Sequence, residues 1–270
     1  MKLYAISDLH LHNAANWNAL LTLPPHPDDW LIVAGDVSET EKRFRMAMAL
    51  LTRRFARVFW TPGNHDLWTL PTDEKGGRGL DKYLRLVNIC REYGALTPED
   101  PYVRWPDGPW IAPIFTLYDY SFRPAEVALE TAVAWAEASG VVCTDEFLLH
   151  PDPYPTRQAW CHLRCRDTGQ RLAALEGPVI LVNHFPLRQD LVHLPRIPRF
   201  SLWCGTTLTE DWHTRYGITA VVYGHLHIRA TQFRDGVRFE EVSLGYPRQW
   251  QEELGIRPYL RQILPDGLAA

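Results

Sequence analysis

Arg57-Val58-Phe59-Trp60-Thr61-Pro62-Gly63-Asn64-His65-Asp66 is the stretch on which the reading of this chain turns. A short apolar run, the pattern of a strand buried on both faces, ends at a glycine. An amide, an imidazole and a carboxylate follow directly. The same construction recurs along the chain. Residues 2–7 lead into Asp8-Leu9-His10, and residues 30–34 into Gly35-Asp36. Residues 179–183 lead into His184, and residues 220–223 into Gly224-His225-Leu226-His227. Five strand ends would therefore carry Asp, Asn and His side chains to one edge of a sheet. A sixth apolar run spans 110–114.

Helical patterns lie between these runs. Residues 39–54 place Phe44, Met48 and Leu51 at helical spacing, with Ser38 available as an N-cap. Residues 80–93 end at Gly94, a C-cap position, and the Ala-rich segment 125–139 ends at Gly140. Residues 156–176 read as a helix interrupted at Gly169. Strand, helix, strand alternation predicts an α/β fold. Residues 231–233 and 239–243 flank Asp235-Gly236, a hairpin signal that adds an antiparallel element. One domain over 1–245 and a C-terminal extension over 246–270, packed on it, is the expected organisation; Gly245-Tyr246-Pro247-Arg248 reads as a turn that locks the tail.

Composition narrows the function. The chain has 270 residues, ample for a sizeable core, and 46% hydrophobic against 22% charged residues is ordinary for a globular protein. The formal net charge of -4 gives no global field toward nucleic acid or anionic lipid, so nucleic acid is not the expected substrate. No apolar stretch approaches the roughly 18 residues of a membrane span, and no export signal is read at Met1–Ser7. Five cysteines, an odd number at unrelated spacings, do not form a disulfide framework. The expectation is a reduced, cytoplasmic enzyme.

Asp8, His10, Asp36, Asn64, His184, His225 and His227 offer hard oxygen and borderline nitrogen donors without a thiolate. That set suits Mn²⁺, Fe or Zn²⁺ better than Ca²⁺ or Cu(I). Two cations about 3.5–4 Å apart need a bridging ligand, a role suited to a carboxylate. In Asp8-x-His10 and His225-x-His227 an extended backbone would turn both side chains to one side. Gly35, Gly63 and Gly224 stand where strand becomes loop and let backbone approach closely. Cys161-His162-Leu163-Arg164-Cys165 lacks a second Cys/His pair, and its cysteines read as small buried residues on one helix face. His12 reads as a solvent-facing loop residue. Arg123 and Arg188 are candidates for bidentate contact with a substrate anion, and Tyr118 for stacking on the substrate.

The ordered set Asp-x-His, Gly-Asp, Gly-Asn-His-Asp, His, Gly-His-x-His resembles the calcineurin-like metallophosphoesterases from Asp8 to His227. The resemblance implies two packed mixed β-sheets flanked by helices, a four-layer sandwich. It implies one metal on Asp8, His10 and His227, another on Asn64, His184 and His225, and Asp36 bridging them. His65 would contact the phosphate and protonate the leaving oxygen, and Asp66 would orient His65 through its imidazole N–H. The reaction so implied is phosphate-ester hydrolysis by a metal-bridging hydroxide attacking phosphorus in line. A small-molecule phosphomonoesterase is the leading expectation. A phosphodiesterase or nuclease with the same centre, a protein phosphatase, and a non-catalytic metal-bearing scaffold are the alternatives.

Overall fold

The computed structural model describes residues 1–71 and 77–265. Ten strands form two sheets. In chain order the elements are β1 (Leu3–Ile6), α1 (Ala14–Thr22), β2 (His26–Val33), α2 (Glu41–Arg54), β3 (Phe55–Trp60), α3 (Leu80–Glu92), β4 (Val103–Arg104) and β5 (Trp110–Pro113). They continue with α4 (Ala132–Glu137), α5 (Asp145–Leu148), α6 (Arg157–Ala173), β6 (Val179–Val182), α7 (Trp212–Arg215), β7 (Ile218–Tyr223), β8 (Ala230–Arg234), β9 (Val237–Glu241) and β10 (Arg261–Leu264).

The first sheet has the order β10-β1-β2-β3 and the second β4-β5-β6-β7-β9-β8. Within them β1-β2-β3 and β5-β6-β7-β9 run parallel, while β10, β4 and β8 are antiparallel edges. Alternation along the strands assigns the faces. Ala5, Ile32 and Ala34 of the first sheet form one buried cluster with Ile180, Val182 and Val222 of the second, so this layer lies between the sheets. Their neighbours Ile6, Leu31, Val33, Leu181 and Val221 join the clusters under the helices. The result is the expected mixed-sheet architecture with helices outside, built from runs apolar on both faces.

The sheets meet where β1 ends. Ser7 bridges Ser243 in parallel, its N–H donating to the Val242 carbonyl and its own carbonyl accepting from Leu244. The hairpin turns at Asp235 (φ 52°) and Gly236 (φ 79°), the two left-handed positions of a type I′ turn.

Several expected elements differ. Helix α2 starts at Glu41, and Thr40 rather than Ser38 caps it, its hydroxyl accepting from the Arg43 N–H. The helix expected over 125–139 contracts to α4, preceded by a 3-10 turn at Leu129–Thr131. Gly169 does not interrupt α6, which is continuous and capped by Thr156. Helix α1 was not anticipated. Among the described residues no helix is long and apolar enough to cross a membrane.

Candidate metal centre

The parallel strands end on one side of both sheets and deliver the expected donors there. Asp8 and His10 follow β1, Asp36 follows β2, Asn64 and His65 follow β3, His184 follows β6, and His225 and His227 follow β7. Asp8 (φ 52°), His10 (41°), Asp36 (54°), His225 (71°) and His227 (55°) all take left-handed backbone. Such conformations are costly outside glycine and collect at functional sites. The expected extended geometry for Asp8-x-His10 and His225-x-His227 is therefore replaced by tight turns that bend each pair inward. The glycines make room: at Gly35 (φ 89°) an added Cβ would lie 2.5 Å from His184 Nδ1, at Gly63 it would fall on the Asp36 carboxylate, and at Gly224 on Asp8 and Ser7.

Donor atoms converge in two groups. Asp8 Oδ1 lies 3.0 Å from His227 Nε2 and 3.9 Å from His10 Nε2, and the two imidazole nitrogens lie 3.1 Å apart. The other carboxylate oxygen, Asp8 Oδ2, is already occupied, accepting from Ser7 (2.6 Å), Ser243 (2.7 Å) and the His225 N–H (3.0 Å). On the other side His184 Nε2 lies 3.2 Å from Asn64 Oδ1 and 3.6 Å from Asp36 Oδ2. Asp36 Oδ2 is also 3.9 Å from His10 Nε2, so it stands between the groups, while Asp36 Oδ1 accepts from the His65 N–H. His225 rings lie 5.2 Å from His184 by centroid, and His225 Nε2 is buried without a partner.

Proton bookkeeping tests whether cations fit. The Ala34 carbonyl can only accept, so His184 Nδ1 carries the proton at 2.9 Å and its Nε2 is a bare lone pair. The Asp145 carboxylate accepts from Asn64 Nδ2 (2.9 Å), which turns Asn64 Oδ1 toward that lone pair. Gln249 Oε1 likewise accepts from His227 Nδ1 at 2.8 Å. Lone pairs thus face each other between His184 and Asn64, an arrangement that calls for a cation, and the second group gathers Asp8, His10 and His227 around one point. Burial lowers His10 to about 4 and His225 and His184 below their ordinary value, whereas at His227 the burial cost is outweighed by the Asp8 carboxylate, which raises it. Burial and the neighbouring Asp8 charge push Asp36 well above the usual carboxylate range, whereas at Asp8 the desolvation cost is outweighed by His227, His184 and His10. The excess negative charge, like the orphaned His225 nitrogen, fits bound metal.

His65 lies beside these donors, its ring centroid 4.7 Å from that of His10 and 3.7 Å from that of Trp68, the latter pair tilted by 31°. Its orienting partner is not Asp66. His65 Nδ1 meets Glu39 Oε1 at 2.9 Å, while the Asp66 carboxylate accepts from the Val37, Ser38 and Gly63 amides and ties two loops together. Glu39, the residue that meets His65 and His12 here, was not singled out from the sequence. Burial opposes its ionisation, yet the surrounding imidazoles of His10, His12 and His65 hold it well below the usual range. His12, expected to face solvent, is half-exposed and reaches Glu39 Oε2 at 2.7 Å. Tyr246, whose ring stacks 4.5 Å over His10, was read only as part of a turn, and Gln249, which meets His227 Nδ1, was not singled out.

The expected substrate side chains lie elsewhere. Tyr118 is fully buried and donates its hydroxyl to Asp145 Oδ2 at 3.0 Å. Arg123 donates to the carbonyls of Val127 and Tyr120, stapling its own loop. Arg188 pairs with Asp190 at 2.8 Å and reaches the Glu210 carbonyl. None of the three touches the converging donors. All five cysteines are buried and free.

Fold and donor pattern agree with a family match: the chain belongs to the calcineurin-like phosphoesterases, whose profile fits residues 1–229, and it is a metallophosphoesterase. At the level of individual proteins it is 53% identical over 273 residues to the [acyl-carrier-protein] phosphodiesterase PptH of Mycobacterium tuberculosis, spanning 98% of this chain and 83% of that protein. The crystal structure of phosphopantetheinyl hydrolase (PptH) from Mycobacterium tuberculosis superposes with a TM-score of 0.95 at 51% identity, covering 100% of this chain and 98% of the other. That relative is by name a phosphodiesterase acting on acyl carrier protein, whereas a small-molecule monoesterase was the expectation here.

Proposed function

We propose that this protein is a metal-dependent phosphodiesterase that releases phosphopantetheine from an acyl carrier protein. The observation that carries the reading is the 53% identity to an acyl-carrier-protein phosphodiesterase across nearly the whole chain, combined with the convergence of seven donor residues at five strand ends. Asp8, His10 and His227 would hold one ion, Asn64, His184 and His225 the other, and Asp36, with one oxygen between the two groups, would serve both. Mn²⁺, Fe and Zn²⁺ suit these donors. When bound, two such ions offset the phosphate charge and acidify a water at near-neutral pH.

The chain's own groups account for the rest. The bond from phosphorus to the serine oxygen of the carrier protein breaks as water adds, leaving the phosphate on the pantetheine. The serine oxygen departs as an alkoxide and needs a proton. His65 would supply it from Nε2, because Glu39 engages Nδ1 and leaves Nε2 for the substrate. Trp68 covers one face of that ring and limits its rotation. The test is incubation of a holo acyl carrier protein with the metal-loaded enzyme, read by mass spectrometry. Conversion to the apo form with free phosphopantetheine supports the reading; an intact holo protein beside rapid hydrolysis of bis-p-nitrophenyl phosphate refutes it.

A further inference from the structure

One fully buried carboxylate outside the donor set contacts both halves of the chemistry. Asp145, the first residue of the one-turn helix α5, has no exposed surface. Its Oδ1 accepts from Asn64 Nδ2 at 2.9 Å and from Trp68 Nε1 at 2.7 Å, and its Oδ2 accepts from Tyr118 OH at 3.0 Å. Among the described residues no cation is seen to pair with the carboxylate: Arg157 donates instead to the Asp145 main-chain oxygen, and its charge is met by Glu146. A buried carboxylate held by three neutral donors is expensive to keep, so its placement calls for an explanation.

The consequence for Asn64 follows from donor chemistry. A carboxylate only accepts, so it selects the amide rotamer in which Nδ2 faces α5 and Oδ1 faces His184. With that contact removed, either face of the amide could turn inward, and an NH₂ group cannot ligate a cation. The consequence for His65 runs through Trp68. The indole N–H is pinned by Asp145, and the indole ring lies 3.7 Å from the imidazole that would protonate the leaving group.

We infer that Asp145 is a positioning residue that sets the ligating face of Asn64 and, through Trp68, the orientation of His65. This rests on the metal reading of Asn64 made above, but not on the identity of the substrate. Two arms make it testable on the full-length protein. In the first, chelator-stripped Asp145→Ala and Asp145→Asn are titrated with Mn²⁺ by calorimetry. Loss of a supporting contact of this kind typically weakens metal affinity by about 10–100-fold, so Asp145→Ala should bind one of two ions that much more weakly. Asp145→Asn should bind both nearly as the wild type does, because its Oδ1 can still accept from Asn64 and Trp68 while its Nδ2 donates to the Tyr118 hydroxyl oxygen. Wild-type affinity for both ions in Asp145→Ala, whatever its melting temperature, overturns the inference, and so does equal weakening in the two variants. In the second arm, Trp68→Phe keeps an aromatic ring and deletes only the N–H. It should lower kcat on bis-p-nitrophenyl phosphate severalfold with Mn²⁺ affinity unchanged. Unchanged kcat, or a loss of metal affinity, contradicts the His65 branch even if Asp145→Ala does not fold. Failure to cleave a carrier protein would refute the proposed function while leaving both arms readable.

Discussion

His65 and Glu39, in contact at 2.9 Å, form the pair on which the proposed leaving-group chemistry depends. His65→Ala should lower kcat by about 10²–10⁴-fold, the usual contribution of a positioned acid, with metal content unchanged. Kinetics alongside elemental analysis check this; full activity would remove His65 from the reaction, and a metal-bearing scaffold would be indifferent to the change. Glu39→Gln keeps an acceptor on His65 but loses the charge, and a drop of about 10–100-fold is expected. The misassignment of Asp66 has a plain geometric cause. His65–Leu67 is a 3-10 turn, in which successive side chains point about 120° apart. Neighbours in sequence there face different partners: His65 faces Glu39, and Asp66 faces the amides of another loop. Glu39 was hidden because an acidic residue just before an amphipathic run looks like the first turn of a helix, and α2 starts two residues later.

At the level of elements, the ends of the parallel strands do most of the work. The five donor-bearing ends were legible because each buried strand is a continuous apolar run closed by polar residues. What was not legible were the turns after them, whose left-handed residues bend donors inward without a compositional signal. Helix α1 escaped for a different reason. Asn16 is fully buried in it, donating to the Leu9 and Gly245 carbonyls and accepting from Trp250 Nε1, so a polar residue occupies a core position and breaks the apolar period. The Ala-rich run 125–139 failed the other way, since composition there exceeds the apolar face available to bury. Gly63→Ala should be disproportionately harmful: its Cβ would displace the Asp36 carboxylate, costing about 1–3 kcal/mol and abolishing metal-dependent turnover. Ending the chain at Leu260 removes β10, uncovers the β1 edge and deletes the fully buried Ile263. A stability loss of at least ~2 kcal/mol should follow, seen as a lower denaturation midpoint; an unchanged midpoint would mean the edge strand contributes nothing.

Across the whole molecule, two sheets converge on one cluster of buried charge, so stability and metal binding are linked. Asp36 pays a desolvation cost beside Asp8 that bound cations would offset. An ion present at 100 times its Kd stabilises by about 2.7 kcal/mol. For a chain of this size that corresponds to a rise in Tm of about 5–10 °C per ion, lost on chelation and restored by Mn²⁺ in differential scanning calorimetry. The Asp36→Asn protein should show no such rise. The family was readable from the ordered motifs at the strand ends. The proposed diester preference was not, because it depends on how the loops around the centre are shaped, and Tyr118, Arg123 and Arg188, the side chains that looked available for substrate, are engaged within those loops.

The most direct test of the account follows a holo acyl carrier protein by intact-mass spectrometry after addition of Mn²⁺-loaded enzyme, with Asp36→Asn in parallel. The account predicts that the wild type strips the carrier of one phosphopantetheine and leaves an unmodified serine, and that the variant does neither. A carrier that keeps its full mass while the same enzyme hydrolyses bis-p-nitrophenyl phosphate would contradict it.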